Sequence, residues 1–145
     1  MMNARQQMES ICTCMCRINE LYSEWAKRHG MSSHVMITIY ALDQNRTSTQ
    51  TQIAQEWMIP KQTVNTVIKD LERRGYVRFE AGRDLKEKRV CFTESGKAFA
   101  EETLRDLYEK EERAMTAMGQ ELAQVLVEAN QAFTQQFANE VLRES

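Results

Sequence analysis

Polar side chains recur at helical spacing between Pro60 and Arg74, opposite an apolar face at Val64, Ile68 and Leu71. Amide side chains can hydrogen-bond an adenine edge, whereas Lys and Arg can reach guanine or a phosphate. The pattern is therefore typical of a helix that contacts bases in the major groove, although an ordinary solvated polar face would look similar. The expected base contacts are Gln62, Thr63, Asn65, Thr66 and Lys69, and the expected phosphate contacts are Lys61 and Arg73.

The elements that would position this face can also be predicted. Thr49 and Gln52 form a capping box that begins a short helix ending near Trp57. Pro60 suits the first turn of the next helix, and Gly75 ends that helix. Two strands follow at residues 76–80 and 88–93. Helix, turn, helix and a two-stranded ribbon together indicate a winged helix-turn-helix in a mainly α protein.

The predicted hairpin tip, GRDLKEKR, is rich in cations. A charged turn is usually only solvated, but a basic wing can also lie along a minor groove. We expect Arg83, Lys86 and Lys88 to be the wing contacts with DNA, and Gly82 and Asp84 to form the turn.

Charge is unevenly distributed along the 145 residues, whose formal net charge is −2. Residues 61–90 carry nine Lys or Arg and five acids, whereas residues 91–145 carry five basic and eleven acidic residues. Affinity for phosphate depends on where the cations lie rather than on the total. The sequence therefore predicts a basic DNA-contacting lobe within an acidic scaffold.

Long amphipathic helices flank this lobe. The first, at residues 6–29, carries an apolar stripe from Met8 to Trp25, and Ser32 or Ser33 caps the next. Thr93 caps a helix at 94–113, and a final helix begins near Thr116. The apolar stripes of the first and last helices are larger than a 60-residue lobe can cover. We therefore expect the two terminal segments to pack together and against a second chain.

Residues 49–96 resemble the multiple-antibiotic-resistance regulator (MarR) family of bacterial transcription factors. The resemblance is carried by TQTQIAQ, IPKQTVNTVIKDLERRGYV and the wing pattern DLKEKRVCFTESG. It implies a homodimer that represses a pseudo-palindromic operator and is released by a small ligand or another signal. Residues 1–145 would form one MarR-like domain, with a DNA-binding lobe at 32–93 and dimerisation helices at 1–31 and 94–145. Two departures are Lys86, where the family usually has Arg, and Pro60, where it often has Ser.

Cysteines 12, 14 and 16 are clustered in the first helix, and the fourth cysteine is Cys91. Small buried side chains are the usual interpretation, but some MarR members sense peroxide through a cysteine near the N-terminus. Redox or soft-metal chemistry therefore stays open. The candidate residues are Cys16, which is turned furthest outward, and Cys12, one helical turn earlier. A bridge between them is disfavoured, because residues one turn apart hold their Cβ atoms about 5–6 Å apart, further than a disulfide allows.

Other classes of function receive little support. We find no nucleotide-binding, nucleophile-elbow or zinc-ligand motif, so we expect neither an enzyme nor a bound metal or other cofactor. No apolar run approaches the roughly 18 residues of a membrane helix, and no export signal is evident, so a cytoplasmic protein is expected. The rival hypothesis is a winged-helix protein-interaction module that does not bind specific DNA sequences.

Overall fold

The computed structural model describes residues 1–45, 47–82 and 87–144. Its helices are α1 (Ala4–Arg28), α2 (Ser33–Asn45), α3 (Gln50–Glu56), α4 (Lys61–Arg73), α5 (Glu94–Met118) and α6 (Gln120–Val141). Its strands are β1 (Thr47–Thr49), β2 (Val77–Ala81) and β3 (Lys88–Phe92). The predicted winged-helix fold, mainly α, is confirmed.

Several helix boundaries follow the local capping signals. The Thr49 backbone N–H donates to the side-chain oxygen of Gln52 at 2.9 Å, and the Gln52 N–H donates to Thr49 Oγ1 at 3.1 Å. This confirms the predicted capping box of α3. At the start of α2, Ser32 Oγ accepts from the Val35 N–H at 3.2 Å, so Ser32 is the capping residue. Gly30, just beyond α1, has φ +75°, a conformation that glycine adopts without steric penalty.

The start of α4 differs from the prediction by one residue. Pro60 is the residue before the helix, with φ −56° and ψ 134°, rather than part of the first helical turn. Four apolar side chains of α4 are buried, as its periodicity predicted, and Gly75 follows the helix with φ +79°. The buried side chains are Val64, Val67, Ile68 and Leu71.

The sheet has three strands, where the sequence predicted two. β3 lies between β1 and β2, and both neighbours are antiparallel to it. Residues 47–49 are all polar and show none of the alternation that marks a strand, so the sequence alone did not predict β1. β1 forms because it pairs with β3. Ser48 lies opposite Val90 in this pairing, and both residues are buried.

The core of the lobe lies between α2, α3, α4 and the sheet. Its fully buried side chains include Met36, Ile39 and Leu42 of α2, with Ile53, Ile68 and Val90 from the other elements. This core supports the buried face of α4 and leaves its polar face in solvent.

The chain divides into two compact units, Met1–Leu104 and Arg105–Ser145. The predicted boundary between the last two helices was wrong, because α5 continues to Met118 and Gly119, with φ +88°, separates it from α6. No residue of α6 is buried in the single chain. None of the helices in the described part of the chain is long and apolar enough to span a membrane.

Candidate nucleic-acid interface

An open groove lies between the start of α3, the start of α4 and the first residues of β3. Its volume is about 880 Å³. We call it the α3–α4 groove. It is lined by Thr49, Gln50, Thr51, Lys61, Gln62, Asn65, Glu87 and Lys88. The fold therefore brings Lys61, Gln62 and Asn65 of α4 together with Lys88 of the wing, although Lys88 is more than twenty residues away in the chain.

The remaining predicted contacts lie along the solvent-facing side of α4. Thr66, Lys69 and Arg73 are exposed, and Thr63 is half-buried. Thr66 Oγ1 donates to the Gln62 carbonyl oxygen at 2.9 Å, which leaves its lone pairs available as acceptors. The predicted polar face is therefore a solvent-exposed surface opposite the buried apolar face.

The cations of this surface differ in their ion pairing. Arg73 is paired with Asp70, one turn earlier in α4, and Arg74 lies 3.6 Å from the same carboxylate. Within the part of the chain that the structure describes, Lys61, Lys69 and Lys88 have no ion-pair partner. A cation without a carboxylate partner attracts a phosphate with its full charge, so these three lysines are electrostatically the most available.

Four residues of the groove were missed from the sequence, and one of them is acidic. Glu87 lines the groove beside Lys88, and its carboxylate lies 3.4 Å from the Arg89 guanidinium. Thr49, Gln50 and Thr51 were recognised only as a helix start. Their capping box was the available signal, because it places these polar residues at the end of α3 that faces the groove.

The base of the wing is closed by a backbone bond from the Gly82 N–H to the Glu87 carbonyl oxygen at 2.8 Å. The predicted tip contacts Arg83 and Lys86, together with the turn residue Asp84, lie outside the described residues. Of the predicted wing contacts, Lys88 is the one the structure places, and it is exposed at the first position of β3.

The C-terminal end of α4 is fixed to the start of α5. Thr93 Oγ1 donates to the Gly75 carbonyl oxygen at 2.7 Å and accepts from the Gly96 N–H at 3.1 Å. A Cβ on Gly96 would lie 1.8 Å from the carbonyl oxygen of Tyr76, so only glycine fits here. The orientation of α4 is therefore fixed at its C-terminal end by backbone contacts as well as by its buried face.

The usual interpretation of cysteines as small buried side chains applies to Cys91 but not to the three cysteines of α1 in the single chain. Cys91 is buried in β3, and burial, followed by a hydrogen bond with Glu80, raises the pKa of its thiol. Cys12, Cys14 and Cys16 are all exposed in the single chain, because only Trp25 and Ala26 of α1 are buried. Among the described residues, no group of three or more His, Cys, Asp or Glu side chains is arranged to hold a metal ion.

Comparison with known protein families gives a match in the region that contains most of the α3–α4 groove. Residues 29–86 match the model of the MarR family. No curated protein matches this chain in sequence. The matched segment includes α2, α3, α4 and the first wing strand, and therefore most of the α3–α4 groove.

Solved structures share the fold over nearly the whole chain. NMB1585, a MarR family regulator from Neisseria meningitidis, aligns with a TM-score of 0.75 and 23% identity over 97% of each chain. FabT from Streptococcus pneumoniae, solved in complex with DNA, aligns with a TM-score of 0.63 and 19% identity over 94% of this chain and 99% of FabT.

NadR, solved in complex with 4-hydroxyphenylacetate, aligns with a TM-score of 0.70 and 15% identity over 86% of this chain and 89% of NadR. At these identities the similarity shows a common fold. The MarR family model itself matches residues 29–86, which is less than half of the chain.

Proposed function

We propose that this protein is a homodimeric transcriptional repressor that binds a pseudo-palindromic operator and releases it in response to a small ligand or another signal. The observation that carries the proposal is the α3–α4 groove. There the amides of Gln62 and Asn65 lie beside the cations of Lys61 and Lys88. Amides beside lysines without an ion-pair partner are suited to contact base edges and the neighbouring phosphates at the same time.

Each part of this surface has a proposed role. The base-edge contacts are Gln62, Thr63, Asn65, Thr66 and Lys69, and the phosphate contacts are Lys61 and Arg73. Arg83, Lys86 and Lys88 would follow the backbone of the adjacent minor groove. The FabT structure contains DNA, and the NadR structure contains 4-hydroxyphenylacetate, so proteins of this fold bind ligands of both kinds.

The dimer is proposed from the apolar surface left at both ends of the chain. Ile11, Met15 and Ile18 are exposed on α1, and Phe137 is 54% exposed on α6. A single chain in water rarely leaves large contiguous apolar stripes uncovered. We therefore assign residues 1–31 and 94–145 to dimerisation and residues 32–93 to DNA binding, with the protein acting in the cytoplasm on its own promoters.

A second candidate signal is oxidation of the α1 thiols. It is favoured by the exposure of Cys12 and Cys16, because sulfur oxidation requires an accessible thiol. Under this alternative, peroxide releases the DNA and Cys16→Ser abolishes that release, while Cys91→Ser does not. Release that is unaffected by Cys16→Ser would exclude Cys16 as the sensor.

The proposed function is tested by a gel shift with the DNA upstream of the gene that encodes this protein. Bound DNA should persist under a large excess of unrelated duplex and disappear with unlabelled specific duplex. Equal competition by both duplexes would instead favour the rival hypothesis, a winged-helix module that does not recognise specific sequences.

A further inference from the structure

Sulfur-bearing side chains form a row along α1. Met8, Cys12 and Cys16 follow one another at intervals of four residues in the segment MESICTCMC. Side chains four residues apart lie one above the other on the same face of a helix. The helix is continuous from Ala4 to Arg28, so the three residues lie within regular α-helix. We call them the sulfur row.

The two thiols of the row are accessible. Cys12 and Cys16 are both exposed in the single chain. At about 100° per residue, they lie about 60° and 100° around the helix from Met15. Ile18 lies on the other side of Met15, at the centre of the apolar stripe that we assign to dimerisation. The two thiols therefore lie beside that stripe, where a second chain packed on the stripe would leave them at its edge.

We infer that Cys12 and Cys16 bind one Cu(I) ion through both thiolates, with the thioether of Met8 as a weaker third ligand. Sulfur ligands select Cu(I), zinc and iron–sulfur clusters. Zinc takes three or four protein ligands, and the clusters take four. Among the residues that the structure describes, no three Cys, His, Asp or Glu side chains are grouped to hold a metal. A pair of thiolates with a thioether therefore suits Cu(I) rather than the other two.

The spacing that disfavours a disulfide is suited to a metal bridge. A disulfide requires Cβ atoms about 3.8 Å apart, which is closer than the about 5–6 Å between residues one turn apart on a helix. A two-coordinate ion instead lies between the sulfur atoms. Two metal–sulfur bonds of about 2.3 Å, the length in zinc thiolates, place the sulfur atoms up to about 4.6 Å apart. This separation can be reached by rotation of the two side chains, without distortion of α1.

The remaining cysteine of α1 provides a matched control. Cys14 lies two residues from both Cys12 and Cys16, and residues two apart do not face each other on a helix. Positions 10, 11, 17 and 18, which do neighbour Cys14 on the helix surface, carry no sulfur. Cys14 is exposed like the other two thiols, so it offers the same chemistry without a second ligand.

The test is an anaerobic titration of the full-length, reduced protein with Cu(I) in competition with the chromophoric chelator bicinchoninate. Each chain should take one Cu(I) and release two protons, because each thiol exchanges its proton for the metal. Cys12→Ser and Cys16→Ser should each weaken the affinity by more than about 100-fold, beyond the 10–100-fold usual for a group that only contacts a ligand. Cys14→Ser should leave the affinity unchanged.

The thioether is tested by Met8→Leu, which keeps the size of the side chain and removes its sulfur. It should weaken Cu(I) binding by about tenfold, less than the loss of a thiolate. An unchanged affinity would overturn the assignment of Met8 as a ligand. Circular dichroism of every variant should match that of the unmodified protein, because the substituted thiols are exposed.

The site at Cys12 and Cys16 is overturned if Cys14→Ser weakens Cu(I) binding as much as Cys12→Ser does, since no particular pair of thiols would then hold the ion. One Cu(I) for every two chains would also overturn it, because the two thiolates would then come from different chains. Failure of the unmodified protein to withdraw Cu(I) from the chelator would exclude the site altogether. DNA takes no part in the titration, so its result is independent of the proposed function.

Discussion

The hydroxyl of Thr93 lies 2.7 Å from the carbonyl oxygen of Gly75, so the residue that caps α5 also bonds the residue that follows α4. Ser95 Oγ donates to the same carbonyl at 3.1 Å. Arg74 adds a side-chain contact, because its guanidinium lies 5.0 Å from the centroid of the Tyr76 ring and 4.9 Å from that of Phe99. The C-terminal end of α4 is therefore held by hydrogen bonds and by cation–π contacts of Arg74 with two aromatic rings.

Replacing Thr93 by valine tests this connection. Thr93→Val removes the bond to Gly75 and the cap of α5 while keeping the shape of the side chain. We expect it to lower the free energy of unfolding in urea by about 1–2 kcal/mol, the usual cost of a lost cap. Lys97→Ala, at an exposed position of α5, is the control and should change stability by less than about 0.5 kcal/mol. Equal effects of both substitutions would show that Thr93 does not fix this junction.

The turn between α3 and α4 should be strained at Met58. At φ +52°, a residue with a Cβ is about 1–2 kcal/mol less stable than glycine. Replacing Met58 by glycine would relieve this strain, but the greater entropy of glycine in the unfolded state offsets part of the gain. We therefore expect Met58→Gly to raise the midpoint of urea unfolding, with a gain of about 1 kcal/mol. Gln55→Gly, at an exposed position inside α3, should lower it by a similar amount. A loss of stability in both variants would contradict the prediction.

Some elements of the fold could be predicted from the local sequence, and others could not, for identifiable reasons. The capping box at Thr49 and the apolar face of α4 depend on residues within one or two turns, so they were predicted. β1 exists because β3 pairs with it, and the three polar residues of β1 carry no signal of their own. The groove residues show the same difference between local and long-range determinants. Periodicity within α4 placed Gln62 on the polar face, whereas Glu87 reaches the groove only through the pairing of the wing strands.

The thiols should differ in reactivity with an Ellman-type reagent. Burial raises the pKa of Cys91, so at any pH near 8 a smaller fraction of this thiol is the reactive thiolate than for an ordinary cysteine. Cys91 should therefore be modified last in the native protein, and raising the pH should accelerate its modification. The order is read by mass spectrometry of quenched samples. Modification of Cys91 ahead of Cys12, Cys14 and Cys16 would contradict the burial of β3 in solution.

The proposed dimer predicts the behaviour of the exposed α1 stripe. At micromolar concentration, sedimentation should give twice the mass of the 16.9 kDa chain. Ile18→Glu places a charge in the stripe and should produce monomer or aggregate, whereas Arg17→Glu, on the exposed residue beside it, should leave the dimer largely intact. A stable, monodisperse monomer of the unmodified protein would remove the two-lobed operator model.

The central claim is that α4 distinguishes bases while the wing mainly holds the phosphate backbone. The direct measurement is fluorescence anisotropy of Gln62→Ala and Lys88→Ala on the preferred operator and its single-base variants, repeated at several salt concentrations. Gln62→Ala should cost about 1–3 kcal/mol on the preferred operator and remove the preference at one base position of each half-site. Lys88→Ala should weaken binding to all sequences alike and reduce the salt slope by about one per lobe. If Gln62→Ala keeps the full base preference while Lys88→Ala removes it, the wing distinguishes the bases and the assignment of roles is wrong.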